Sequence, residues 1–376
     1  MNSKLKSLSV VFLFLCITNT YGARRFVRSD RQLTHKISII HPGISLQEKV
    51  NCELVEVISP YSATSSFYMD VESVVCGSKE CEIVMVRVHW NALGEFTDLE
   101  LRNGNTLEKN EGIEFSKEDY QKLDRILKDK ASPLQTYYKY ELVSTNHANA
   151  MDAFSGATVE IDKSAVVEGA VWTCYTLWYW ANGDVVDAIR NITSQKYTNQ
   201  QLQQLVLGSN QGYQIFALEE LIKRKSYSEI SVAAISKIAQ KSKELFNLAI
   251  AYFEKSNDQL YFRFVSETYK ESNEYEARGL LNSLMKTKFE YPTGFFEEIS
   301  DENIKRASYQ EIDLFLTLLD AKAYTSKKIQ TNTCMLLEHN EFLISRRAYW
   351  YLKKYQLNEE NAIKINSFKE KNKNKL

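Results

Sequence analysis

The heptapeptide DAFSGAT at 152–158 contains the residues whose types and spacing best suit chemistry in this chain. Ser155, Gly156 and Ala157 are small, so backbone N–H groups beside them can come close to a phosphate. Thr158 then supplies a hydroxyl group. A helix starting soon afterwards would add free N–H groups and the positive end of its dipole. These features would suit a loop that lies close to a phosphate group.

The heptapeptide resembles the attachment motif of the FMN-binding domain family, whose pattern is Asp-x-x-Ser/Thr-Gly-Ala-Thr. The family includes the covalent-flavin domains of the sodium-pumping NADH:quinone oxidoreductase and of the Rnf-type electron-transport complex. The resemblance implies that a separate flavin transferase joins the phosphate of FMN to the hydroxyl of Thr158. It also implies that Asp152, Ser155, Gly156 and Ala157 form the recognition loop around the cofactor.

The region 34–104 is predicted to form an antiparallel sheet that precedes the motif. The segment 82–90 alternates apolar and polar residues, which is typical of a strand with one covered face. A turn at 91–94 leads back into a strand at 95–101, and further strands are expected at 52–58 and 67–76. The apolar face of the segment 82–90 consists of Val84, Val86, Val88 and Trp90. The resemblance to the family covers residues 70–183.

One helix is expected before the motif and one after it, in the order that the family shows. The first starts at Ser116, with Asp119 in an approximate capping box, and the second spans 163–181. The stretch 137–143 fits either an extended segment or a short helix. The sequence VEID separates Thr158 from the second helix, whereas in the family a Thr or Ser follows within two residues. This departure puts the phosphate cradle in doubt. It leaves open a loop that no longer carries flavin, and a chance match.

The first residues have the three-part layout of a secretory signal peptide. Lys4 and Lys6 form a basic start, the stretch 8–17 is almost entirely apolar, and Thr20 and Gly22 precede the predicted cleavage site. The apolar stretch is shorter than the roughly 20 residues needed to span a bilayer. We therefore expect export, to the periplasm or in association with the outer membrane. An uncleaved anchor is the alternative.

The cysteines predict one disulfide. Cys76 and Cys81 flank a short turn, CGSKEC, and such a bond persists outside the cytoplasm. The spacing favours a structural bond over a redox-active pair without deciding between them. Cys52, Cys174 and Cys334 are predicted to be buried as apolar residues. No metal site is expected, because the five histidines are scattered and there is no second close cysteine pair.

The second half of the chain predicts an all-α region. Amphipathic segments recur in pairs, which favours a solenoid-like array of the HEAT or armadillo kind over an irregular bundle. Helices are expected near 199–207, 211–225, 228–240, 242–255, 258–270, 273–287, 307–321, 324–337 and 340–355. The predicted domains are a signal peptide at 1–22, an FMN-binding-like α+β domain at 23–195, a helical repeat domain at 196–365 and a disordered basic tail at 366–376.

Two functions of different classes follow. In the first, the chain is an exported carrier of FMN in electron transfer, rather than a self-sufficient enzyme, and its partners are the flavin transferase, a redox protein and a membrane-associated protein. In the second, it carries no flavin and is a scaffold that binds a protein through its helices. A net charge of −1 with 25% charged residues gives no field that would attract nucleic acid.

Overall fold

The computed structural model describes residues 30–61, 64–74, 83–102, 104–142, 161–306 and 308–376. They form an antiparallel sheet with accompanying helices, followed by a long helical region. This is the predicted fold class, an α+β region and then an all-α region. The heptapeptide at 152–158, the signal peptide at 1–22 and the pair Cys76 and Cys81 lie outside the described residues. The predicted domain limits stay predictions.

Five strands form one antiparallel meander, in the order β1-β2-β3-β4-β5. They are β1 (Arg31–Ile40), β2 (Lys49–Ile58), β3 (Ser66–Glu72), β4 (Met85–Asn91) and β5 (Phe96–Leu101). Val86, Val88 and Trp90 of β4 are completely buried, which confirms the predicted apolar face. Arg87 lies on the other face, where its guanidinium forms two hydrogen bonds with Asp70 of β3. One face of the sheet is therefore core and the other polar.

Short elements and two helices follow the sheet. They are β6 (Glu108–Lys109), β7 (Ile113–Glu114), α1 (Lys117–Lys128), 3₁₀ turns at Pro133–Thr136 and Lys139–Leu142, and α2 (Val171–Asn182). The capping box of α1 is confirmed. The Asp119 amide donates to the Ser116 hydroxyl (3.2 Å), and the Ser116 amide donates to the Asp119 carboxylate (2.9 Å). The stretch left open at 137–143 contains a 3₁₀ turn.

Helix α2 begins later than the sequence predicts, at Val171 rather than near residue 163. Asp162 closes a local turn instead, because its Oδ1 accepts hydrogen bonds from the amide and hydroxyl of Ser164 (2.8 and 2.7 Å). Gly169 then adopts a φ of +75°, which no helix accommodates. The free amides at the start of α2 are thus farther along the chain from Thr158 than we expected.

The all-α region contains helices α3 to α14 among the described residues. They are α3 (Val185–Ser194), α4 (Asn199–Val206), α5 (Gln211–Lys223), α6 (Glu229–Ile238), α7 (Lys243–Glu254), α8 (Asp258–Glu271), α9 (Glu274–Lys286), α10 (Phe295–Asn303), α11 (Tyr309–Ala321), α12 (Lys327–Met335), α13 (Phe342–Leu352) and α14 (Glu359–Lys371). All nine helices predicted beyond residue 196 are present. Helices α3, α10 and α14 were not predicted, and α14 makes the first part of the expected disordered tail helical.

The helices pack in two alternating layers. In one layer α5, α7, α9, α11 and α13 lie side by side in that order, and in the other α10 packs between α8 and α12. The two helices also contact each other within each of the pairs α4–α5, α6–α7, α8–α9, α10–α11 and α12–α13, so each pair forms a hairpin stacked on the next. One continuous apolar core runs through the stack. This packing supports the predicted solenoid-like array over an irregular bundle.

The chain divides into two compact units. The first takes the described residues within Met1–Asn91, Phe96–Ile126 and Thr136–Leu177, and the second takes those within Ala92–Glu95, Leu127–Gln135 and Trp178–Leu376. None of the helices in the described ranges has both the length and the apolarity to cross a bilayer.

Candidate functional site

We call residues 143–160, which contain the heptapeptide, the heptapeptide region. The described residues on either side of it are held together at Tyr137. The amide of Asp162 donates a hydrogen bond to the Tyr137 hydroxyl (3.2 Å). The hydroxyl of Tyr175, on α2, donates to the carbonyl oxygen of Tyr137 (3.2 Å). One tyrosine therefore ties the chain that enters the heptapeptide region to the chain that leaves it. Leu142, the last described residue before the region, is completely buried.

Helix α1 fixes the same place from another side. The ammonium of Lys122 donates a hydrogen bond to the carbonyl oxygen of Lys163 (2.8 Å). The turn at Asp162 precedes that carbonyl, and the Ser164 hydroxyl and amide hold the pKa of the Asp162 carboxyl below its usual value. The Asp162 carboxylate therefore stabilises the turn formed with Ser164, just after the segment 143–160.

The approach to α2 is anchored by close backbone contacts. The amide of Asn110 donates to the carbonyl of Gly169 (2.8 Å), and a Cβ at Gly169 would lie 3.3 Å from the Cβ of Lys109. The Sγ of Cys174 accepts a hydrogen bond from the amide of Val167 (3.2 Å). Burial raises the pKa of the Cys174 thiol to about 12, so this sulfur is structural, as predicted, and not a nucleophile.

Aromatic and cationic side chains stand immediately before the heptapeptide region. The Nζ of Lys139 lies 5.8 Å from the ring centroid of Trp172, a cation–π distance. Tyr138 is half exposed, whereas Trp172 is almost completely buried. Tyr137, Tyr138 and Lys139 were not among the residues that the sequence predicted for the site. The run YYKY at 137–140 was the available signal.

Four tryptophans of the chain belong to the core. Trp90, Trp172, Trp178 and Trp180 are exposed by 9% or less. None of these four indoles offers an open face. His89, on the polar face of the sheet, sits 3.4 Å from a carboxylate oxygen of Glu100. It belongs to a surface charge network.

The other predicted cysteines are not reactive groups either. Cys334 is buried, and burial raises the pKa of its thiol to about 11. Cys52 is half-buried on β2, and burial raises the pKa of its thiol as well. Burial of Cys174 and Cys334 confirms their prediction as apolar residues, while Cys52 is only partly covered.

Comparison of the chain with protein-family models, with curated proteins and with solved structures gives no match. The geometry itself defines a frame. Tyr137, Lys122 and the Asp162 turn join both ends of the heptapeptide region to helices α1 and α2 of the α+β region. Such a frame fixes the two ends of the segment 143–160. It contains no nucleophile–base pair among the described residues named here.

Proposed function

We propose that this protein is an exported flavoprotein that carries FMN as a phosphoester on Thr158 and serves in electron transfer outside the cytoplasm. The observation that carries the proposal is the complete heptapeptide pattern, placed between an antiparallel sheet with α1 and the helix α2. The two ends of the segment that contains it are joined at Tyr137, which supports its use as a presented loop.

The residues around the frame fit a flavin phosphate in charge. Lys139 and Lys163 stand at the two ends of the heptapeptide region, and a phosphoester carries negative charge that ammonium groups attract. Ser155, Gly156 and Ala157 would leave room for backbone amides near the phosphate, and Asp152 would be read by the transferase. The half-exposed ring of Tyr138 offers a flat apolar surface beside the region.

The protein's part in the chemistry is attachment and environment. The bound flavin would supply reversible electron uptake and release, which no side chain of this frame provides. Thr158 would hold the cofactor through its hydroxyl oxygen, and the ties at Tyr137 and Lys122 would limit how far the loop can move. A redox protein of the same compartment, or one in the membrane, would exchange the electrons.

Flavin transfer in a bacterial host tests the proposal. The full chain is co-expressed with a flavin transferase, and the denatured protein is examined for flavin fluorescence on a gel and for the mass of FMN minus water. We expect a fluorescent wild type, a dark Thr158→Ala variant and a fluorescent Thr145→Ala control, which removes a threonine outside the motif. A dark wild-type band with active transferase would refute the proposal. Recovery from the periplasmic fraction tests export at the same time.

The second candidate function is a scaffold that binds a protein through its helices. The observation in its favour is the stack of helical hairpins, an architecture that presents long surfaces to partners. In this function the frame around the heptapeptide is purely structural. A dark band together with specific binding to the helical array would favour the scaffold.

A further inference from the structure

The helices α7, α9, α11 and α13 follow one another in the same layer and align without gaps on their buried residues. The aligned sets are Phe246, Ala277, Ile312 and Ser345, then Ala249, Leu280, Phe315 and Ala348, then Phe253, Leu284, Leu319 and Leu352. Every one of these side chains is buried. The four helices are therefore structural equivalents, and their remaining positions can be compared one by one.

One aligned position bonds each helix to the next helix of the layer. It is occupied by Asn247, Arg278, Asp313 and Arg346 in α7, α9, α11 and α13. The bonds run from the Tyr275 hydroxyl to Asn247 (3.1 Å), from Arg278 to Gln310 (2.5 Å) and from Arg347 to Asp313 (2.5 Å). In each case the partner belongs to the following helix, so this position marks the side on which the layer grows.

Helix α13 is the last of this layer among the described residues, and Arg346 has no following helix to bind. Its guanidinium lies instead between two rings of its own helix, 5.7 Å from the centroid of Phe342 and 5.0 Å from that of Trp350. Trp350 is 39% exposed and Leu343 is 45% exposed. We call Leu343, Arg346, Trp350 and Lys353 the α13 face.

The α13 face combines apolar surface with uncompensated positive charge. Within the described part of the chain, neither Arg346 nor Lys353 takes part in an ion pair, whereas their neighbours Arg347 and Lys354 both bind Asp320. The position of Lys353 corresponds to that of Asp320 in α11, which is an acid used for binding the next helix. Helix α13 thus carries the basic residues Arg346 and Lys353 at the two positions where α11 carries Asp313 and Asp320.

We propose that the α13 face docks an acidic amphipathic helix of a partner protein, which extends the layer by one helix. The apolar side of such a helix would cover Leu343 and Trp350, and its carboxylates would pair with Arg346 and Lys353. A second copy related by a twofold axis is disfavoured, because it would bring the same cations against each other.

Helix α11 indicates what the docked helix looks like. It packs against α9, which carries Arg278 at the position of Arg346, and its Gln310 accepts a hydrogen bond from that arginine. Its thirteen residues include Glu311, Asp313 and Asp320 and no basic residue. A synthetic peptide of the sequence 309–321 is therefore an acidic amphipathic probe for the α13 face.

The test measures binding of the labelled 309–321 peptide to the full chain by fluorescence anisotropy. We expect saturable binding that Arg346→Glu weakens by about tenfold or more, because it replaces attraction by repulsion at the centre of the contact. The matched control is Arg263→Glu, which changes an exposed arginine of α8 and should leave binding unchanged. Circular dichroism of each variant checks that the fold is kept.

Tryptophan quenching gives a second, independent measurement. The other four tryptophans of the chain are exposed by 9% or less, so acrylamide reports chiefly on Trp350. The peptide should protect Trp350 from acrylamide, and Trp350→Phe should abolish the signal.

Three results would overturn the proposal. They are absence of saturable binding, binding that Arg346→Glu does not weaken, and protection of Trp350 only by self-association or by phosphatidylglycerol vesicles. The inference does not depend on flavin, since Thr158→Ala protein should bind the peptide as the wild type does.

Discussion

The first unit and the helical array differ in how far apart in the sequence their hydrogen-bonded residues lie. In the stacked helices from α4 to α14, side-chain bonds join residues about one hairpin apart: the hydroxyl of Tyr252 donates to the carbonyl of Ser226, 26 residues away, and that of Tyr351 to the carbonyl of Tyr324, 27 residues away. In the first unit, the Nε2–H of His41 donates to the carbonyl of Thr176, across 135 residues (3.0 Å).

This difference teaches where each region is vulnerable. A contact between neighbouring hairpins closes a short loop and can form wherever the stack has begun. A contact across 135 residues forms only when the end of β1 and helix α2 have come together. We therefore expect the array to respond to changes in its apolar core and the first unit to respond to loss of a few polar ties.

The largest expected effect is in the core of the array. Phe253 is completely buried and stacks on Phe264, with the ring centroids 4.1 Å apart. Phe253→Ala should lower the free energy of unfolding of the array by about 4 kcal/mol, because it removes a buried ring and leaves a cavity. Denaturant unfolding followed by far-ultraviolet circular dichroism measures it. Phe253→Leu, which fills most of the space, should cost much less; equal losses would contradict the packing argument.

The next effect is a pH dependence confined to the first unit. Burial lowers the pKa of His41 to about 4, so the folded protein holds this imidazole neutral. Between pH 6.5 and 4 the unfolded chain binds a proton that the folded chain does not, and stability falls as the pH falls. The loss should approach about 3 kcal/mol below pH 4. Denaturation of wild type and His41→Gln from about pH 7 to about pH 4.5 isolates it, because the glutamine variant lacks this slope. Parallel curves would refute the assignment.

The helical array and the first unit also differ in how much of each the sequence predicted. The nine helices predicted beyond residue 196 were correct because each carries its own apolar period and polar ends. Helix α10 was missed because it has only nine residues, which follow Pro292 and the N-cap residue Gly294, whose φ is +80°, so the pattern is too short to recognise. In the first unit the capping box at Ser116 was legible, because both partners are three residues apart.

The candidate site was predictable only in part, for a related reason. The heptapeptide is a local pattern, so its sequence was recognisable. The frame that joins its ends depends on bonds between distant residues, such as the one from Asp162 to Tyr137, which leave no periodic signal. The late start of α2 likewise depends on the turn at Asp162 and the contact of Gly169 with Asn110.

A smaller effect tests the polar joints between helices of the array. Arg347 is largely covered and binds Asp313, Thr317 and Asp320 of the preceding helix in its layer. Arg347→Ala should lower the free energy of unfolding by about 2 kcal/mol, because it removes the hydrogen bonds of a largely covered guanidinium. The loss is not larger because Asp313 is partly exposed, so solvent screening weakens its ion pair with Arg347. The difference from wild type should shrink in high salt. Arg346→Ala, the neighbouring change on the open face, should leave stability nearly unchanged.

The smallest effect separates a local tie of the first unit from its long-range ties. The Ser116 hydroxyl accepts the amide of Asp119 at the start of α1, and Ser116→Ala should cost about 1 kcal/mol. Ser116→Asp should retain most of that stability, since its carboxylate can accept the same amide. Hydrogen exchange of the first-turn amides of α1 measures the change locally. If exchange instead rose throughout the sheet, the first unit would depend on its local caps as much as on its distant contacts, and the contrast with the array would fail.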